Sequence, residues 1–291
     1  MDKFSKIILG TAQFGMKYGI NNKTGKIPFN EIKKILDLAY QNRINTIDTA
    51  QNYGNSERQI GKYLEMKPEN KFRLITKISK PNVPLEKQIS KSLINLKSKK
   101  LHAILFHSIE LYEKFKKELP FLIKHYKGKY FEQIGVSLYK NKQISNIIDD
   151  KMIDRVQLPF NMFDNSNLRE GFILKLKLRG KYIDARSVFL QGLFFKKLRT
   201  LPKPFKDLNK DLNFLHKLCK ESNNMMNSLA INYVLEKGYI DQVIIGIDSL
   251  EQLKSNIEQI SIGISEEIIK EIDSIQIKNP EMLDPSLWPK Y

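Results

Sequence analysis

The sequence predicts an α/β chain folded as a (β/α)8 TIM barrel, one domain over residues 1–291. Three observations carry that expectation. Short apolar runs alternate with amphipathic helical segments, eight such runs occur, and polar residues gather where the runs stop. The length agrees, since barrels of this class commonly take about 250 residues as one unit. An open doubly wound sheet calls for a GxGxxG turn after its first strand, and this chain has GTAQFG there.

The elements follow in order. KIILGTAQF opens the chain as the first strand candidate. PFNEIKKILDLAYQN (28–42) then places Phe29, Ile32, Leu36 and Ala39 on one helical face. The second strand candidate is INTIDTAQNYG (44–54), followed by a helix from Ser56 in which Ser56 and Gln59 predict a capping box ahead of Ile60 and Leu64. FRLITKIS (72–79) leads to a helix carrying Leu85, Ile89 and Leu93. LHAILFHS (101–108) leads to one carrying Leu111, Phe115, Leu119 and Leu122. QIGVSLY (133–139), DRVQLPF (154–160), KYIDARSV (181–188) and DQVIIGID (241–248) complete the set. GLFFKKLRTLPKPFKDLN (192–209) reads as a long loop, of a length that is usually functional or mobile. The aromatic end of the tail NPEMLDPSLWPKY (279–291) is expected to pack on the barrel or cross its mouth.

A hydrophobic fraction of 41% and a mean hydropathy of −0.40 predict a sizeable core and a soluble chain. No apolar run approaches the roughly 20 residues of a membrane span, and the N-terminus has too short an apolar stretch for a secretory signal. The lone Cys219 permits no internal disulfide, and a cytoplasmic location is expected. The net charge of +17 comes from 41 Lys and eight Arg spread along the chain. It lacks the aromatic interleaving or signatures of a nucleic-acid binder, but its field favours an anionic cofactor or substrate. No nucleic-acid, membrane or metal partner is expected.

Asp48, Tyr53, Lys77 and His107 lie in or just past the second, third and fourth strand candidates. In a barrel built in sequence order these strands are neighbours, and active sites gather at their C-terminal ends. A phenol beside an ammonium is expected to have a lowered pKa and to become a better proton donor. Asp48 would keep Lys77 charged, and His107 would orient a carbonyl. Side chains do not carry hydride, so such chemistry requires a nicotinamide cofactor.

LGTAQFG, IDTAQNYGNSERQIG, Lys77 and His107 together resemble the aldo-keto reductase superfamily over nearly the whole chain. The second motif is close to that superfamily's DTAxxYGxSExxIG. The resemblance implies a barrel without a Rossmann domain, with extended NADP(H) or NAD(H) across its C-terminal mouth. It also implies Tyr53 as proton donor and Asp48, Lys77 and His107 as its partners. In the first-strand segment it implies cofactor contacts at Gly10, Thr11 and Ala12, and at Asp48 beyond it. GVSLY and QLPFN imply Ser137 and Gln157 at the nicotinamide carboxamide, with Leu138 replacing the usual Asn. ARSVFLQGL implies Arg186, Ser187, Phe189, Gln191 and Gly192, with Arg186 where an aromatic often stacks on the ring.

VIIGIDSLEQLKSNIEQI (243–260) resembles the cofactor-binding IPGxxxxEQLxxN segment, which implies Gly246, Asp248, Gln252 and Asn256. Asp248 would repel a 2′-phosphate or accept a bond from a free 2′-hydroxyl; a helix cap at Asp248 or Ser249 is the structural alternative. Family habit favours NADPH, and Lys254 is a further candidate phosphate partner. The opening also resembles a bacterial branch associated with surface carbohydrates, so the expected substrate is a small aldehyde, ketone or sugar-type carbonyl, a nucleotide sugar included. A non-catalytic regulator on the same fold, like the potassium-channel β-subunits, is the alternative.

Overall fold

The computed structural model describes residues 2–288. Eight parallel strands close into a barrel in sequence order. They are β1 (Ile7–Gly10), β2 (Thr46–Asp48), β3 (Arg73–Ile78), β4 (Leu101–Phe106), β5 (Phe131–Ser137), β6 (Arg155–Pro159), β7 (Tyr182–Arg186) and β8 (Gln242–Gly246). β1 closes the ring by pairing with both β2 and β8, so that Gly10 stands level with Asp48 and Gly246.

The period-two alternation of a pleated strand sorts the apolar residues into two cores. Ile8, Ile75, Ala103, Leu105 and Ile244 fill the barrel interior. Their strand neighbours, among them Leu9, Ile47, Ile104, Val136, Val156 and Ile245, face outward into the layer shared with the helices. Near its N-terminal end the interior turns polar, where the fully buried Arg155 donates to Asp184 Oδ1 at 2.6 Å and to Gln133 Oε1 at 2.8 Å.

The helix Phe29–Gln41 buries Ile32, Ile35, Leu36 and Ala39, in accord with its periodicity. Two expectations fail locally. Ser56 does not cap its helix: Asn55 holds that position, and the Ser56 hydroxyl is drawn into a tertiary contact with Thr11 O at 2.9 Å. The helix expected across Leu111–Leu122 is two helices, Ile109–Phe115 and Leu119–Tyr126, joined by a 3-10 turn at Lys116–Glu118. Pro120 starts the second, because proline fits a first turn and breaks an interior.

Residues 192–209 form successive 3-10 turns, and Leu193, Phe194, Leu201, Phe205 and Leu208 are buried beneath them. The tail packs on this segment. The Trp288 ring meets Phe205 edge-on with centroids 4.5 Å apart, and its indole N–H donates to Met282 O at 2.9 Å. The tail's last residues, 289–291, lie outside the described residues. Among the described residues no helix is long and apolar enough to cross a membrane.

Candidate active site

β2 and β3 end by turning Asp48 and Lys77 into the barrel mouth. Lys77 Nζ donates to Asp48 Oδ2 at 2.5 Å and to Thr49 O at 3.3 Å. From across the barrel, Gln157 Nε2 of β6 donates to Asp48 Oδ1 at 3.0 Å. The side chains of Lys77 and Asp48 are only 1% and 4% exposed, so this is a desolvated ion pair held by a third group.

Above it stand Tyr53 and His107. Lys77 Nζ lies 5.2 Å from the Tyr53 ring centroid. The His107 ring meets Tyr53 edge-on, with centroids 6.0 Å apart. His107 Nδ1 is buried without a hydrogen-bond partner. The structure therefore gathers all four residues expected from the strand ends.

Their electrostatics differ from expectation in one respect. Burial, followed by the Asp48 carboxylate, pushes the Tyr53 phenol well above its ordinary value, with Arg186 opposing. The Lys77 ammonium is not among the charges that lower the phenol, contrary to expectation. Arg186 is the cation that acts on it. Burial, followed by the Lys77 and Arg186 charges, pushes His107 down to about 3. Its imidazole is thus neutral at physiological pH.

The Tyr53 loop is seated by backbone contact. A Cβ at Gly15 would lie 1.7 Å from Tyr53 O. Gly54 adopts a left-handed φ of 56°, and a Cβ there would lie 2.2 Å from Gly15 O. Thr11 Oγ1 donates to Asp48 O at 2.9 Å, while Thr49 Oγ1 donates to Ser56 Oγ at 3.0 Å. The buried Glu57 accepts from Thr76 Oγ1 at 2.8 Å and Asn95 Nδ2 at 2.9 Å, joining the loop's helix to β3 and to the helix Leu85–Asn95.

Residues 6–277 match the family described as the Aldo/keto reductase family. The chain belongs to that family. No curated protein matches it. Among solved structures it resembles an aldo-keto reductase from Bacillus halodurans in its holo form, with a TM-score of 0.70 and 18% identity over 92% of this chain and 91% of that one. A Pseudomonas aeruginosa protein described as an aldo-keto reductase gives 0.64 and 17%, over 88% and 90% of the two chains. These likenesses bear on the fold.

Aldo-keto reductases typically use a nicotinamide cofactor, and the mouth offers an opening for its carboxamide. Gln157 Oε1 is buried with no partner, an acceptor placed for an amide N–H, and Ser137 lies beside Gln157 in the β5–β6 register. Arg186, the last residue of β7, stacks on Tyr139 with Cζ 4.0 Å from the ring centroid. Its Nη2 donates to Leu138 O and its Nη1 to Ser187 Oγ, both at 3.1 Å. The loop beyond is held in left-handed conformations at Ser187, Leu190, Gln191 and Gly192. Gln191 O accepts from Ile20 N at 3.1 Å, and Phe189 packs on Phe195 with centroids 5.6 Å apart.

After β8, Ser249 rather than Asp248 caps the helix Leu250–Ile262, accepting from Gln252 N at 3.2 Å. Asp248 Oδ1 accepts from Asn22 Nδ2 at 3.0 Å, and burial raises its carboxyl. Gln252 Oε1 accepts from Asp248 N at 2.8 Å, and Asn256 Oδ1 from Asn227 Nδ2 at 3.0 Å. A Cβ at Gly246 would lie 3.3 Å from the Gln13 amide. Gly10, Thr11 and Ala12 lie at the adjoining end of β1.

Sequence reasoning missed the second layer: Gln13 and Asn22 beside Asp248, Tyr139 under Arg186, and Glu57. Glu57 had a signal, since it sits inside the quoted motif. The others depend on contacts between distant loops.

Proposed function

We propose that this chain catalyses NAD(P)H-dependent reduction of an aldehyde, ketone or sugar-type carbonyl, or the reverse oxidation, at the mouth of the barrel. The observation that carries this reading is the buried Lys77–Asp48 pair lying beneath Tyr53 and His107. Bound cofactor supplies the hydride to the carbonyl carbon. Tyr53 donates its phenolic proton to the carbonyl oxygen, completing the alcohol, and regains a proton from solvent. A raised phenol keeps Tyr53 protonated and ready to donate at neutral pH. Arg186, the cation whose field lowers the phenol, stabilises the phenolate left behind, while Asp48 holds Lys77 beneath the Tyr53 ring. His107, neutral, hydrogen-bonds the carbonyl oxygen and sets its angle.

Gln157 and Ser137 are assigned to the carboxamide, with Gly10, Thr11, Ala12, Asp48, Arg186, Ser187, Phe189, Gln191 and Gly192 along the inner cofactor path. Gly246, Asp248, Gln252 and Asn256 are assigned to its adenosine end. The reading covers NADP(H) and NAD(H), residues 1–291 acting as one domain, and a cytoplasmic setting.

Tyr53→Phe tests it. The variant should still bind NAD(P)H, seen by quenching of intrinsic fluorescence, yet lose about 10²–10⁴-fold in turnover on simple and sugar aldehydes. Undiminished turnover, or wild-type protein that binds neither cofactor, would overturn the assignment.

A further inference from the structure

We propose that Arg186 makes this site discriminate between the redox states of the nicotinamide ring, holding the neutral reduced form more tightly than the cationic oxidised form. The inference rests on the preceding reading that a nicotinamide cofactor docks here. It concerns which form the pocket favours and which residue sets that choice.

The placement comes from register. Ser137 pairs with Gln157 between β5 and β6, and Pro159 pairs with Arg186 between β6 and β7. The Arg186 guanidinium is tied to the carbonyl of Leu138, the residue after Ser137. A ring anchored by its carboxamide at the unpaired Gln157 Oε1 therefore has this cation as a near neighbour.

Charge supplies the rest. Lys77 is matched by Asp48 at 2.5 Å, and Arg169 by Asp164 at 2.5 Å. Among the described residues Arg186 has no ion-pair partner. Its contacts are a carbonyl, a hydroxyl and the face of Tyr139. Those contacts also fix the guanidinium in place. Its field already reaches Tyr53 and His107, lowering the proton affinity of both. Asp164 lies within the field of Arg186 but is ion-paired to Arg169. Oxidation adds a positive charge to the ring, and a cation with no ion pair of its own repels it. The two cofactor forms share every other group, so the ratio of their dissociation constants isolates the ring.

Calorimetric titration of wild type, Arg186→Gln and Arg186→Lys with NADPH, NADP+, NADH and NAD+ tests the proposal. In wild type the oxidised-to-reduced Kd ratio should exceed that of Arg186→Gln by at least about tenfold, equal to about 30 mV for a two-electron couple. Arg186→Lys should keep most of the preference. Equal binding of both forms by wild type overturns the proposal whether or not a variant folds. A ratio in Arg186→Gln within about twofold of wild type also overturns it. So does an effect confined to KM for anion-bearing carbonyls, which would assign Arg186 to the substrate. Wild-type protein that binds neither form is a different result: it removes the cofactor reading and this inference with it.

Discussion

Replacing Lys77 with Met tests how far the floor of the barrel mouth is desolvated. The ammonium is buried, and its removal leaves Asp48 with one side-chain donor, Gln157 Nε2 at 3.0 Å. Breaking a buried ion pair from one side costs about 3–5 kcal/mol, because the remaining charge keeps its desolvation penalty. That is a large share of the roughly 5–15 kcal/mol that holds a typical domain. Asp48→Asn alone strands the ammonium against Thr49 O and should cost a similar amount. Lys77→Met/Asp48→Asn removes both charges and should lose less than the two single changes added together. The coupling should be on the order of 2–3 kcal/mol. Urea unfolding, followed by fluorescence and circular dichroism, measures all three variants. Single losses below about 1 kcal/mol, or additivity within about 0.5 kcal/mol, would show a pair open to water and refute the reasoning. The double variant should regain stability without regaining turnover.

Gly15→Ala should shift Tyr53, since the new methyl would sit 1.7 Å from Tyr53 O. A displacement near 1 Å should lower kcat about 10²-fold with little change in cofactor Kd; unchanged kcat would show that the loop does not set the phenol's position. Two buried groups should oppose each other in the dependence of stability on pH. His107, held at about 3 against 6.5, binds fewer protons in the native state, so its contribution is present above pH 6.5 and is lost as pH falls toward 3. Asp184, pushed up to about 6 against 3.8 by burial, binds more, so its contribution is present below pH 3.8 and is lost as pH rises through 6. Thermal melts between pH 4 and pH 7 should therefore rise with pH more steeply in Asp184→Asn than in wild type, and less steeply in His107→Gln. Equal slopes in both variants would contradict the assignment. In steady-state rates, no ionisation of His107 should appear between pH 5 and pH 8.

The strands were legible because each is a short apolar run that stops at polar residues, and those stops are where a parallel barrel carries its chemistry. Asp48, Tyr53, Lys77 and His107 could be read from them. β2 is shorter than its run: INTIDTAQNYG yields a strand of only Thr46–Asp48, because the residues beyond leave the sheet to carry Tyr53. The Ser56 capping box was a sound local pattern that lost to a distant partner, Thr11 O. Gln157 reaching across to Asp48 depends on closure of the barrel, and Arg186 reaching Leu138 O on the register of β5, β6 and β7. Spacing along the chain predicts the barrel but not which side chains meet across it.

The contacts also explain why the reaction class is easier to read than the substrate. Within DTAQNYGNSE, Asp48 and Tyr53 serve the mouth, whereas Thr49, Gly54, Ser56 and Glu57 hold the loop that seats them. The motif is long because aiming one phenol takes several buried hydrogen bonds and a close approach of two glycines. That demand is the same whatever carbonyl is reduced. Tyr18, Tyr139 and Arg186, which interact with one another around Tyr53, come from two separate loops and the end of β7. Tyr18 and Tyr139 make none of the hydrogen bonds that seat the Tyr53 loop, so the sequence constraints that identify the chemistry leave those two positions free to vary.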